Sequence, residues 1–361
     1  MTVQTMTENP HGMPDTSDYY DYDNQTSGSY DDDICLKKNA IQFGKAVTPI
    51  IFIIVVLFSC VGNTLVLWVL VKYENLKSLT NTLLLNLALS DLIFTFGLPF
   101  WAYYYMYGWT LGDPACKAVN FVFYTGYYSS IIILTVLTVH RYMAVVHPMS
   151  VVMSRKSLHY YATSIVIWII SLCAAIPQAR FNSVVSSSVD VFIDAQNNDT
   201  SVVLLCDFDG EINWKLISTY MQNSFFIIAF VITAFCHTVI LGWLFRSTRR
   251  KTMQLILFMV VFFFLGWGPY NVAIFLDSLI SWEIGLFSDC KLTESLDYLI
   301  YVSRMVAFSH CCLNPLFYVI MGIKFRNHLK KMLCTFCDYN TEPQNRQSRL
   351  IYSNGKEVSM Y

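Results

Sequence analysis

The apolar positions of this chain gather into seven long blocks, at residues 47–71, 82–106, 115–139, 160–178, 216–245, 252–276 and 298–323, with short polar stretches between them. A bilayer's hydrocarbon core takes about 20 apolar residues per helical crossing, because unpaired backbone N–H and C=O groups cannot be left in lipid. The pattern therefore predicts an all-α membrane protein, a seven-transmembrane helix bundle. Ionised side chains inside the blocks are few: Asp91 in the second, Lys117 near the edge of the third and Arg304 in the seventh. After the seventh block, Lys324 to Leu333 (KFRNHLKKML) places Phe325, Leu329, Met332 and Leu333 on one helical face and basic residues opposite, the pattern of a short interfacial helix on anionic lipid.

Basic residues set the expected orientation, since Lys and Arg are retained on the cytoplasmic side. Lys72 and Lys77 follow the first block, Arg141, Arg155 and Lys156 the third, and Arg246, Arg249, Arg250 and Lys251 the fifth. The stretch 179–212 has only Arg180 against six carboxylates. The N-terminus is thus expected outside the cell and the C-terminus inside. The polar first forty residues show no cleavable signal pattern, so the first helix is expected to act as its own insertion signal. Two glycosylation sequons, at Asn24 and Asn198, fall on the side assigned as extracellular. Three regions result: an acidic, Tyr-rich extracellular tail over 1–45, the helical domain over 46–323, and the interfacial helix with a cytoplasmic tail over 324–361.

Composition agrees with a membrane protein: 55% of the 361 residues are hydrophobic and 14% charged, with mean hydropathy +0.45, outside the ordinary soluble range. The net charge of −1 conceals a polarity between the ends, for residues 1–36 hold eight acidic side chains and no Lys or Arg. Among the 11 cysteines, Cys35, Cys116, Cys206 and Cys290 fall on the oxidising side, and four cysteines allow three connectivities. Cys60, Cys173, Cys236, Cys311 and Cys312 lie in the blocks as small packing residues, and Cys334 and Cys337, beyond the amphipathic stretch, are candidates for palmitoylation.

Six landmarks occur in order: Gly62-Asn63, LNLALSD ending at Asp91, His140-Arg141-Tyr142, Trp168, Trp267-Gly268-Pro269, and Asn314-Pro315-Leu316-Phe317-Tyr318. With them, residues 46–333 resemble a rhodopsin-like (class A) G-protein-coupled receptor. Leu98-Pro99-Phe100-Trp101, AFSHCCLNPLFY (Ala307 to Tyr318), the four outer cysteines and the tail narrow the resemblance to chemokine receptors. LVKYENLKSLTN (Leu70 to Asn81), the His-Arg-Tyr variant and KFRNHLKKML are most similar to the XC type, whose ligand is lymphotactin.

The resemblance implies a plasma-membrane receptor that binds a small basic cytokine and activates an inhibitory-type heterotrimeric G protein to drive chemotaxis. Arrestin, receptor kinases and membrane lipid follow as further partners, with no nucleic acid and no required cofactor. It implies the disulfides Cys116–Cys206 and Cys35–Cys290. Tyr19, Tyr20, Tyr22 and Tyr30, set among carboxylates in a context that favours sulfation, would capture the ligand electrostatically. Trp101, Phe123, Asp277 and Arg304 would line the bundle mouth. A charge inside the membrane costs at least a few kcal/mol, so Arg304 either faces a wet cavity or pairs with an acid such as Asp277. His140, Arg141, Tyr142, Trp267, Asn314, Pro315 and Tyr318 would carry activation and coupling. A carboxylate near mid-membrane must be protonated, paired or metal-bound, and Asp91 with Ser130 and Asn314, Asn63 nearby, matches the family's allosteric sodium site.

Several positions depart from the family pattern. His140 stands in place of the usual Asp, which either loosens the resting lock on Arg141 or leaves it to other helix-end contacts. His237 replaces a common helix-five Tyr, the fifth block lacks its usual Pro, Gly97 replaces a common Thr, and Arg304 stands where most chemokine receptors place Glu. No metal cluster, nucleophile elbow or phosphate loop suggests an enzyme. The seventh block lacks the mid-helix lysine of an opsin, and Phe123 replaces the Asp of an aminergic receptor. The remaining rivals are a decoy receptor that scavenges chemokine without G-protein signalling and, from a different class, a transporter or channel.

Overall fold

The computed structural model describes residues 38–76, 78–147, 157–186, 192–193, 200–201, 204–208, 212–244, 251–281, 290–321, 325–328 and 330–331. The helices are α1 (Lys38–Tyr73), α2 (Leu79–Tyr107), α3 (Asp113–Val146), α4 (Ser157–Phe181), α5 (Ile212–Leu244), α6 (Lys251–Ser281), α7 (Cys290–Phe308) and α8 (His310–Met321). Between α4 and α5 run β1 (Asn182–Ser186), β2 (Phe192–Ile193), β3 (Thr200–Ser201) and β4 (Leu204–Phe208). Each of α1 to α6 is long and apolar enough to cross a membrane. The seventh block is divided between α7 and α8, joined through Ser309.

The helices close a ring. α1 packs on α2 at one side and on α7 and α8 at the other, while α3 touches α2, α4, α5 and α6. Outward faces stay apolar, with Leu57, Phe58 and Val61 of α1 and Ile227, Ile228 and Phe235 of α5 exposed. Lipid removes the hydrophobic drive between such helices, so they associate through close packing at small residues and through hydrogen bonds. Gly126 shows the first: a Cβ there would lie 2.6 Å from the Phe94 backbone nitrogen across the α2–α3 contact. Asn86 shows the second, accepting from Trp168 Nε1 at 2.9 Å and donating to Ser164 Oγ at 3.0 Å, which ties α2 to α4.

The landmark Gly62-Asn63 and the Asn314-Pro315 pair explain one another. Pro315 has no N–H, so the carbonyl four residues earlier, on Cys311, loses its helical donor. Asn63 Nδ2 supplies one at 2.8 Å and Ser59 Oγ a second at 3.3 Å. The approach requires glycine at 62, since a Cβ would meet the Pro315 ring at 2.7 Å.

Three features differ from the sequence expectation. α1 starts at Lys38, inside the region assigned to the tail up to 45, because Phe43 packs on Tyr298 and Gly44 sits against Tyr301 of α7. A hydropathy window finds the lipid-spanning length and not turns held by a neighbour. The seventh block breaks at Ser309, where side chains compete with the helix for its own carbonyls. His310 Nδ1 donates to Ala307 O at 2.8 Å and Cys311 Sγ to Phe308 O at 3.3 Å, the acceptors that the N–H groups of Cys311 and Cys312 would otherwise use. Cys312 N bonds Ser309 O instead.

The third feature is a β-hairpin in the connection read only as an acidic loop. β1 and β4 pair antiparallel with Val184 opposite Cys206, and Cys206 is disulfide-bonded to Cys116 near the start of α3. Trp109 N donates to Leu204 O at 2.8 Å and Val184 N to Asp113 Oδ1 at 3.2 Å, so the hairpin lies across that end of the bundle. Trp109 is fully buried against the disulfide. Gly108 and Gly112 take positive φ, 74° and 81°, in the tight link from α2 to α3.

Candidate functional site

Two cavities lie beneath the hairpin, of about 220 and 190 Å³. The larger reaches Lys215, Ser218 and Gln222 of α5 and Asp277 of α6. The smaller reaches Phe52 of α1, Trp101 and Tyr105 of α2, and Phe123 of α3. Their common wall is Tyr124, Gln178, Asp207, Phe208, Tyr270 and Arg304. All four residues expected at the bundle mouth therefore line this space: Trp101 and Phe123 in one lobe, Asp277 in the other and Arg304 in both.

Arg304 does not pair with Asp277. Its Nη1 donates to the Tyr105 hydroxyl, its guanidinium carbon stands 5.6 Å from the Tyr270 ring centroid, and its Nε is buried without a hydrogen-bond partner. Asp277 Oδ2 lies instead 3.7 Å from Lys215 Nζ. Lys117, the other basic residue in the apolar blocks, is held by Asp113 at 2.5 Å.

Gly97 now has a packing reason. A Cβ there would stand 3.0 Å from Phe123 Cδ2, so the missing side chain lets the Phe123 ring settle against α2, 4.4 Å from the Phe94 centroid. From this floor an aromatic column descends. Phe308 packs on Phe123 at 4.9 Å and on Trp267 at 5.7 Å, and Trp267 contacts Tyr127 at 4.4 Å and His310 at 5.4 Å. Trp267 is buried, its Nε1 without a partner.

Below Trp267 lies a polar cluster on Asp91, which is fully buried. Asn314 Nδ2 donates to Oδ2 at 2.7 Å and Ser130 Oγ to Oδ1 at 3.4 Å. His310 Nε2 stands 3.9 Å from Oδ1 and, like the carboxylate, is buried; it has no hydrogen-bond partner. Since Nδ1 already donates to Ala307, an unprotonated Nε2 would turn its lone pair toward the carboxylate. A small cation would relieve that opposition, so these residues fit the sodium ion that the resemblance implies.

At the far end of α3, His140 Nδ1 and Arg141 Nε are buried without partners, as is the Tyr318 hydroxyl of α8. Among the described residues no carboxylate lies within 4 Å of Arg141. Tyr142 packs on Phe235 of α5, and His237 Nε2 stands 3.5 Å from Thr138 Oγ1, tying α5 to α3. Phe325, in the helical stretch 325–328, is buried against Tyr318, with Arg326, Lys330 and Lys331 exposed.

Residues 62–318 match the family model for the 7 transmembrane receptor (rhodopsin family). Chemokine XC receptor 1 of Homo sapiens is 40% identical over 328 residues, 90% of each chain. Its Mus musculus counterpart is 39% identical over 323 residues, 89% of this chain and 91% of the relative. C-C chemokine receptor type 4 of Homo sapiens is 32% identical over 316 residues, 84% of each. The chain belongs to the chemokine receptor family of rhodopsin-like receptors.

The two cavities are thus lined by residues that the family resemblance marked and by some that it did not. Tyr105, Gln178, Lys215 and Tyr270 carry no motif. Gln178 was hidden at the end of an apolar block, where its Nε2 donates to Ser218. Tyr19, Tyr20, Tyr22, Tyr30, Asn24, Asn198, Cys334 and Cys337 lie outside the described residues. So does Cys35, and with it the Cys35–Cys290 pairing.

Proposed function

We propose that this receptor sits in the plasma membrane with its N-terminus outside, binds a small basic chemokine of the lymphotactin (XC) type, and signals through an inhibitory-type G protein. The observation that carries the reading is the pair of adjoining cavities under the disulfide-tethered hairpin, linked by packing through Phe308, Trp267 and His310 to the Asp91 cluster. The acidic, tyrosine-rich tail gathers the ligand, and the ligand's N-terminal segment enters the cavity. Pressure on Phe123 and Phe308 moves Trp267, and a ligand that fits the displaced arrangement better shifts the two-state equilibrium. At the other end, Arg141, whose Nε has no hydrogen-bond partner, meets the G protein's C-terminal segment, and buried Tyr318 relays the change from Trp267 toward it. That Arg141 has no carboxylate partner among the described residues supports a loosened resting lock.

The test is binding and cyclic-AMP suppression in cells lacking chemokine receptors, using lymphotactin beside a panel of other chemokines. Saturable lymphotactin binding with signalling lost in Arg141→Ala is the expected result. Binding with no signal in wild type would establish the scavenging alternative. No binding across the panel would defeat the ligand assignment.

A second observation favours sodium at Asp91: the orphaned His310 Nε2 facing Oδ1, with the oxygen donors Ser130 and Asn314 beside it. The ion would offset the buried carboxylate and stiffen the resting arrangement. Sodium chloride should then raise the melting temperature of the purified receptor relative to choline chloride at equal ionic strength, and Asp91→Asn should remove the difference. Equal melting temperatures in the two salts would count against it.

A further inference from the structure

Building on the chemokine reading of this cavity, we propose that the inserted tip of the ligand carries a carboxylate and that Arg304 is the residue that selects it. The cavity has a polarity that its lining makes plain. Arg304 belongs to the wall shared by both cavities, so a segment entering either one passes this residue. What Arg304 touches is uncharged: the Tyr105 hydroxyl and the face of Tyr270. Its Nε has no acceptor. Among the described residues no carboxylate lies within 4 Å of it.

The acids that could neutralise it are placed elsewhere. Asp277 is turned to Lys215 on the larger lobe's far wall. Asp207 also borders both lobes, but it is exposed on β4 and its Oδ1 accepts from the Phe208 N–H at 2.8 Å. Two buried amides beside the cavity are spent on the protein, Gln178 donating to Ser218 and Asn120 to Cys116 O.

Arg304 is half-buried and has no charged partner among the described residues, and the group that best complements it is a carboxylate, whose two oxygens match the planar fork of N–H donors. A cationic tip would meet like charge beside a half-buried guanidinium, where repulsion is stronger than in bulk water. The Glu that most chemokine receptors place here would favour the opposite tip. Arg304 is therefore a specificity residue that inverts the charge preference of the cavity.

The probe is a lymphotactin core bearing synthetic N-terminal segments that differ at one residue, scanned along the segment as Glu, Gln or Lys, together with the core lacking any segment. Receptors are wild type, Arg304→Gln, Arg304→Glu and Arg304→Lys, normalised for surface density through an N-terminal tag. In wild type the best Glu-bearing segment should act at a concentration about tenfold lower than its Gln counterpart, as for a charge-assisted pair. Arg304→Gln should erase that preference, Arg304→Lys should keep its sign, and Arg304→Glu should transfer it to the Lys-bearing segment. Retained response to the Lys-bearing ligand shows that Arg304→Glu has folded.

If the segmentless core binds wild type but no Glu position outperforms Gln, the inference is overturned while the chemokine reading stands. A Glu preference that survives in Arg304→Gln also overturns it. If neither the core nor any segment-bearing form binds, both fall together.

Discussion

Gly62 and Gly97 each hold a place where a side chain would displace a neighbour, but with different consequences. At Gly62 the obstacle is the rigid Pro315 ring, 2.7 Å from the position a Cβ would take, and the same approach brings Asn63 to the Cys311 carbonyl. Gly62→Ala must push α1 from α8 and stretch that bond. Overpacking of this kind costs about 1–3 kcal/mol, so the melting temperature of the purified variant should fall measurably. An unchanged value would mean that the helices are not held at this distance. At Gly97 the obstacle is the Phe123 ring, a side chain that lines the smaller cavity. The sequence flagged Gly97 only as a departure; its partner lies on another helix. Arg304 is similar, since hydropathy marks it as a charge in the membrane but cannot say whether Asp277 or a phenol receives it.

Among the elements, the six helices α1 to α6 were legible because each satisfies the lipid requirement alone. The start of α1 was not, since residues 38–45 are held by Tyr298 and Tyr301 rather than by apolarity. The β1–β4 hairpin was missed although β-branched and apolar residues crowd both strands, SVVS and LLCDF. Short strands have no independent stability, and these are fixed by the Cys116–Cys206 disulfide, Trp109 and Asp113. The interruption at Ser309 was equally hidden. Pro315 is visible in the sequence and signals a lost helical bond, yet the break falls six residues earlier, where His310, Cys311 and Cys312 take carbonyls from the helix.

For the molecule as a whole, charge is unevenly distributed along the chain. Residues 1–36 carry eight carboxylates and no cation, and attraction between separated charges weakens as salt shortens the Debye length. Raising ionic strength from about 0.05 M to about 0.3 M should lower the association rate of a basic chemokine several-fold while altering dissociation little. Deleting residues 1–33 should slow association at low salt and flatten the dependence. A rate indifferent to salt in the full chain would exclude steering by the tail.

The sequence by itself determined the seven apolar blocks and the few charges inside them, while family resemblance marked the cavity residues and the companions of Asp91. It could do so because lipid tests every segment separately, for length and for apolarity. Only the tertiary structure decided which polar groups meet. Asn63 with Cys311, Asp91 with Asn314 and Tyr105 with Arg304 are separated by 248, 223 and 199 positions. Each of those contacts exists only because the ring closes α1 and α2 onto α7 and α8, and a buried polar group takes whatever partner that closure brings within reach.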